Sequence, residues 1–239
     1  MEKIKIYFGN LLGINLNDSN HPIVQEINSI DNASNQEQEI KKHQLRTLGV
    51  NLFDIKKYDE IIFDYYLSRI KNNNDISIYG HIAEIKQCAH FISKALENQL
   101  DFRFGDPNKN EPDFLINEHG IEIGSARFSL DNKNPNPAKK LIRSFKKKNN
   151  NNYTNLNCAL IIDISEISNS RNVDYSKFPK FEEIKNEINL SNDFGVIMYF
   201  VEKIVFVDNE IVTEGKIYPE FNNDCNEELK ELMKSIFLK

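Results

Sequence analysis

The sequence predicts a mixed α/β fold, a central β-sheet flanked by helices and preceded by a helical extension. Three observations point there. Apolar residues recur at helical spacing through much of the first hundred residues, short strand-like runs cluster between residues 101 and 128, and the remainder alternates helix-period with strand-like segments. Residues 1–75 read as the extension and 76–239 as one α/β domain.

In chain order, helices are expected near 36–48, closed by Gly49, and near 55–70, ended by Asn72-Asn73-Asn74. A longer helix over 77–99 follows from Ile78, Ile82, Ile85, Ala89, Ile92 and Leu96, which share a face, with Glu84 on the flank of that stripe. Strands are expected over 101–104, 113–117 and 121–128, the last two joined across Asn117-Glu118-His119-Gly120 in a type I turn. Asn136 then caps a helix that opens on Pro137. Its apolar positions Ala138, Leu141, Ile142 and Phe145 leave a basic opposite arc, and the asparagine run 149–152 ends it. A buried strand over 158–164, a helix over 179–190 and a strand over 194–201 come next. A hairpin over 203–218 turning at Asp208-Asn209 and a closing helix over 227–238 complete the chain.

Composition narrows the function classes. With 40% hydrophobic and 28% charged residues the chain can bury a core and is not expected to be disordered. No run approaches the length of a membrane span and the start lacks the apolar region of a signal peptide, so a cytoplasmic protein is expected. Cys88, Cys158 and Cys225 lack the paired spacing of a zinc or redox motif and read as reduced structural thiols. None of His21, His43, His81, His90 and His119 sits in a metal-binding spacing. The net charge of −6 would argue against a polyanion partner, but its distribution does not. Between residues 132 and 162 there is no Asp or Glu, while Lys133, Lys139, Lys140, Arg143, Lys146, Lys147 and Lys148 all fall there.

Chemistry concentrates in two acids placed inside apolar, strand-like runs. Asp113 follows Pro112 and precedes Phe114-Leu115-Ile116, and Glu122 lies within Gly120-Ile121-Glu122-Ile123-Gly124. Ionised carboxylates in such surroundings need compensation, and a bound metal ion is the usual form of it. Their relative orientation depends on the hairpin loop. A three-residue loop with a glycine bulge turns Asp113 away from Glu122, whereas a two- or four-residue loop puts both on one face, as a metal site requires.

A helix bearing Glu84, then Pro112-Asp113 at a strand start, then Glu122 nine residues on, resembles the core of the PD-(D/E)XK nuclease superfamily. The resemblance covers residues 79–165 and implies a restriction-endonuclease-like core. It implies metal ligation by Asp113, Glu122 and the backbone carbonyl of Ile123, with Glu84 holding a second ion or a metal-bound water. It also implies catalysis by Glu84, Asp113 and Glu122 with Mg2+ or Mn2+, and endonucleolytic cleavage of DNA in restriction or defence, with a homodimer for double-strand cutting. Phosphate contacts are expected from Lys139, Lys140, Arg143, Lys146 and Lys147. The chain departs from the family where its lysine, two residues beyond the second acid, falls at Gly124. Substitutes are sought in Gln87 or Lys86 on the helix, in Arg127, and in Lys139 or Lys140. Two alternatives stand beside this expectation: a nuclease fold that has lost catalysis and binds nucleic acid or a protein, and an RNA-cleaving toxin on the same core.

Overall fold

The computed structural model describes residues 2–13, 16, 20–75, 77–106, 109–128, 134–170, 173–208 and 210–238. Lys133 and Asn209, which entered the expectations above, lie outside the described residues. The chain divides into two compact units, one of residues 1–92 with 204–214, the other of 93–203 with 215–239. The boundary expected at residue 75 falls inside the first unit, between its fourth and fifth helices.

The first unit is mostly helical. It holds α1 (Glu2–Leu12), α2 (Pro22–Ser29), α3 (Asn35–Tyr58), α4 (Glu60–Lys71) and α5 (Ile78–Asn98) as far as Ile92, with a core of Phe8, Leu12, Val24, Ile27, Leu52, Ile55 and Ile70. Gly49 does not close a helix as expected. α3 runs through it for 24 residues because Leu45, Leu48, Leu52 and Ile55 continue one buried stripe across the glycine. The break falls ten residues later, where the Asp59 carboxylate accepts the N–H groups of Ile61 and Ile62 and starts α4. His21 is structural. Its Nδ1 accepts the N–H of Ile23, which leaves Nε2 to donate to the carbonyl of Ile70 at 2.8 Å.

Strand order in the mixed sheet is β1-β2-β3-β4-β5-β6, comprising β1 (Phe102–Phe104), β2 (Phe114–Ile116), β3 (His119–Ser125), β4 (Cys158–Asp163), β5 (Val196–Val207) and β6 (Glu210–Phe221). The first three strands are antiparallel, and β3, β4 and β5 are parallel. Parallel neighbours need crossovers, and α6 (Pro137–Asn149) and α8 (Phe181–Asn189) supply them, with the short α7 (Ser165–Asn169) after β4. Leu141 and Phe145 of α6 and Ile184 and Ile188 of α8 share a core with Leu160, Ile162, Ile197 and Tyr199 of the sheet. The strand expected over 194–201 and the first arm of the hairpin expected over 203–218 are one twelve-residue strand, β5. α9 (Glu227–Phe237) closes the chain. Cys88, Cys158 and Cys225 are buried and in no disulfide, and among the described residues no helix is long and apolar enough to cross a membrane.

Candidate active site

The β2–β3 hairpin settles the orientation of the two acids. Its pairing sets Phe114 against Ile121 and Ile116 against His119, so the loop is the two-residue Asn117-Glu118. Both loop residues have positive φ, 47° and 66°, as the hairpin turn matching the strand twist requires, so the expected type I turn is not formed. The pairing continues one step outward and brings Asp113 beside Glu122. The Asp113 N–H donates to Glu122 Oε2 at 3.3 Å, and Asp113 Oδ2 accepts the N–H of Ile123 at 2.7 Å. Because N–H and C=O of one strand residue share a side, the Ile123 carbonyl also faces β2.

Two close approaches seat Pro112-Asp113 there. A Cβ on Gly105 would stand 1.7 Å from the Pro112 carbonyl oxygen, and Gly105 donates its N–H to the Asp113 carbonyl at 3.0 Å. A Cβ on Gly120 would stand 2.6 Å from Cys158 Sγ and 3.0 Å from Pro112 Cγ. Bare Cα atoms at both positions let the proline ring lie against β3.

Glu122 is buried, and its side chain is engaged at both oxygens. Lys148 Nζ donates to Oε1, while the Tyr153 hydroxyl donates to Oε2 at 2.7 Å and accepts from Asn151 Nδ2 at 2.6 Å. The same ammonium lies 3.8 Å from Asp113 Oδ2. Burial first, and then the neighbouring Glu122 carboxylate, hold the Tyr153 phenol well above its ordinary range, so it stays a donor. Neither Lys148 nor Tyr153 was among the residues expected to substitute for the missing lysine. Lys148 had a signal: it stands seven residues after Leu141 and three after Phe145, on the buried stripe of α6, where a lysine needs a buried acid to meet. Tyr153 lies in the loop after α6 and carried none.

Of the residues expected to substitute, Arg127 is engaged elsewhere and the others lie on other elements. Arg127 donates to Ser125 Oγ at 3.0 Å and to Asp163 at 3.2 Å. Lys139 and Lys140 open α6 at the end opposite Lys148, and Gln87 is buried in the first unit. Glu84 also belongs to the first unit, where its carboxylate lies 3.4 Å from His81 Nδ1 and 3.6 Å from Arg69. Lys139, Arg143, Lys146 and Lys147 are exposed along α6, and Lys140 is half-buried. Gly124 and Ala126 follow Glu122 on the same face, and a Cβ at Gly124 would make ordinary contacts with Leu160 and Ile162 at 3.5 to 3.6 Å. A lysine there would enter the core.

No protein-family model matches the chain, and none of the curated proteins or solved structures compared with it is similar to it. Among the described residues no group of three His, Cys, Asp or Glu side chains is placed to hold a metal ion. The two acids fit a hard divalent cation in part. They converge on one cation position, which the Lys148 ammonium takes, and the Ile123 carbonyl lies on the same side.

Proposed function

We propose that the chain is a metal-dependent endonuclease on a restriction-endonuclease-like core, acting on DNA. What carries the reading is the convergence of Asp113, Glu122 and the Lys148 amine at one point on the β2–β3 hairpin. Phosphodiester hydrolysis calls for acids that hold a metal and a positive group within reach of the phosphate, because charge builds on the phosphoryl oxygens while a water loses its proton. Asp113, Glu122 and the Ile123 carbonyl would hold Mg2+ or Mn2+, which supplies an activated water and charge neutralisation when bound. Lys148, from α6, would supply to the phosphate the positive charge that the resemblance leaves wanting at Gly124. The exposed cations of α6, Lys139, Arg143, Lys146 and Lys147, would hold the phosphate backbone without reading bases.

The second reading is a module that binds nucleic acid and does not cut. The ion pair that fills the acid pair favours it, because taking the lysine away from a buried carboxylate leaves an uncompensated charge. Purified protein is to be incubated with plasmid, single-stranded DNA and RNA, with and without Mg2+ or Mn2+, beside Glu122→Gln. Metal-dependent cleavage abolished in Glu122→Gln is the expected result. Cleavage that persists in that variant removes the site assignment, and binding without cleavage selects the second reading.

A further inference from the structure

The acid pair carries its own cation. The Glu122 side chain is only 2% exposed, and burying a charge is costly unless it is paired. Lys148 provides that group and reaches Asp113 as well. Its own side chain, 21% exposed, is not sealed in. It hangs from the last turn of α6 next to Lys146 and Lys147, both exposed, so a swing of its four-carbon stem takes the ammonium outward without unfolding the helix. A divalent cation attracted to the same two carboxylates would meet the ammonium in place, and two cations at one point repel.

We propose that Lys148 is an exchangeable internal counter-ion of this site. In the metal-free protein it neutralises Asp113 and Glu122, and occupation of those carboxylates by a divalent cation displaces it toward the exposed cations of α6, where it adds a positive charge facing a phosphate. The inference rests on the metal-site reading above and deepens it. Asp113, Glu122 and the Ile123 carbonyl keep their places in the exchange, and Tyr153 keeps its hydrogen bond to Glu122. Only the lysine moves.

Calcium, a hard divalent ion taken by carboxylate oxygens, is the probe, read by thermal shift and titration calorimetry on the full chain. Lys148→Met leaves Glu122 buried without its cation, so its metal-free Tm is expected to fall by about 5 °C or more. Its half-saturating calcium concentration is expected to fall at least tenfold below that of the wild type, because no ammonium has to leave. Lys148→Gln, which keeps a hydrogen bond without the charge, gives the same comparison if Lys148→Met does not fold. Acetylation of the wild type, followed by peptide mass spectrometry, reads the lysine itself. Lys148 is expected to label more slowly than Lys147 without metal, and several-fold faster once calcium is added. Equal calcium midpoints in all three proteins, no calcium response in any of them, or labelling of Lys148 that calcium leaves unchanged would overturn the proposal. The two readings fail separately: a wild type that cleaves while the variants gain no calcium affinity removes the exchange alone. Variants that gain calcium affinity beside a wild type that cuts nothing keep the exchange and remove the nuclease.

Discussion

Tyr153 and Tyr199 show how much the surroundings of one hydroxyl decide. The Tyr153 hydroxyl serves a buried carboxylate, and Tyr153→Phe is expected to cost about 1.5–3 kcal/mol in urea denaturation at pH 7, the usual worth of a hydrogen bond to a charged group. Its pKa is raised in the folded state, so the stabilisation is complete below the unfolded value of about 10 and is lost progressively from there up to the raised folded value. Wild-type stability is therefore expected to fall from about pH 10 upward, and to fall less steeply in Tyr153→Phe. Tyr199 presents the opposite case. Its ring is enclosed against Phe181, and its hydroxyl has no hydrogen-bond partner among the described residues. Tyr199→Phe is expected to leave Tm unchanged or to raise stability by up to about 2 kcal/mol, because the cost of burying a bare hydroxyl disappears.

At the scale of elements, the β2–β3 hairpin and the N-terminus of β2 place the acids. Gly105→Ala would drive a methyl into the Pro112 carbonyl, so it is expected to destabilise by about 3 kcal/mol and to displace Asp113, read as a lost calcium response at temperatures where the variant is folded. Gly124→Ala is the control on the same hairpin. Its added methyl finds ordinary contacts, and chemical denaturation is expected to show a change within about 1 kcal/mol, toward stability because an alanine loses less freedom on folding. The element boundaries of α6 were legible because capping and periodicity agree there: Asn136 accepts the Lys139 N–H as a cap should. The end of α3 was not legible, since Gly49 resembles a stop signal locally and only the buried stripe beyond it shows that the helix continues.

Across the whole molecule, net charge and local charge tell different stories. The chain is acidic at −6, yet α6 exposes Lys139, Arg143, Lys146 and Lys147 on one element. Replacing Lys139, Arg143 and Lys147 together by Gln is expected to leave Tm unchanged, because exposed single charges contribute little to stability. The same change is expected to weaken duplex DNA binding and to flatten its salt dependence by about 0.9 per lost phosphate contact, measured by fluorescence anisotropy over a salt series. Lys148 is omitted from that set, since its partners are Asp113 and Glu122 and its removal would alter the acid pair itself.

Local pattern was enough for the class of fold and for most elements, because periodicity and caps are properties of neighbouring residues, and it drew attention to two acids inside apolar runs. Tertiary structure alone decided which acids meet and what compensates them. The register of a hairpin depends on a loop of two residues, Asn117 and Glu118, whose positive φ no glycine announces. Glu84 has Arg69 and His81 as neighbours, whereas its expected metal role came from the family resemblance alone. The positive charge sought beside Glu122 came from 26 residues further on, at Lys148, because the crossover helix between parallel strands returns its last turn to the hairpin. Such a partner is set by the path of the chain through space, and spacing along the sequence carries only its trace, a lysine on an apolar stripe.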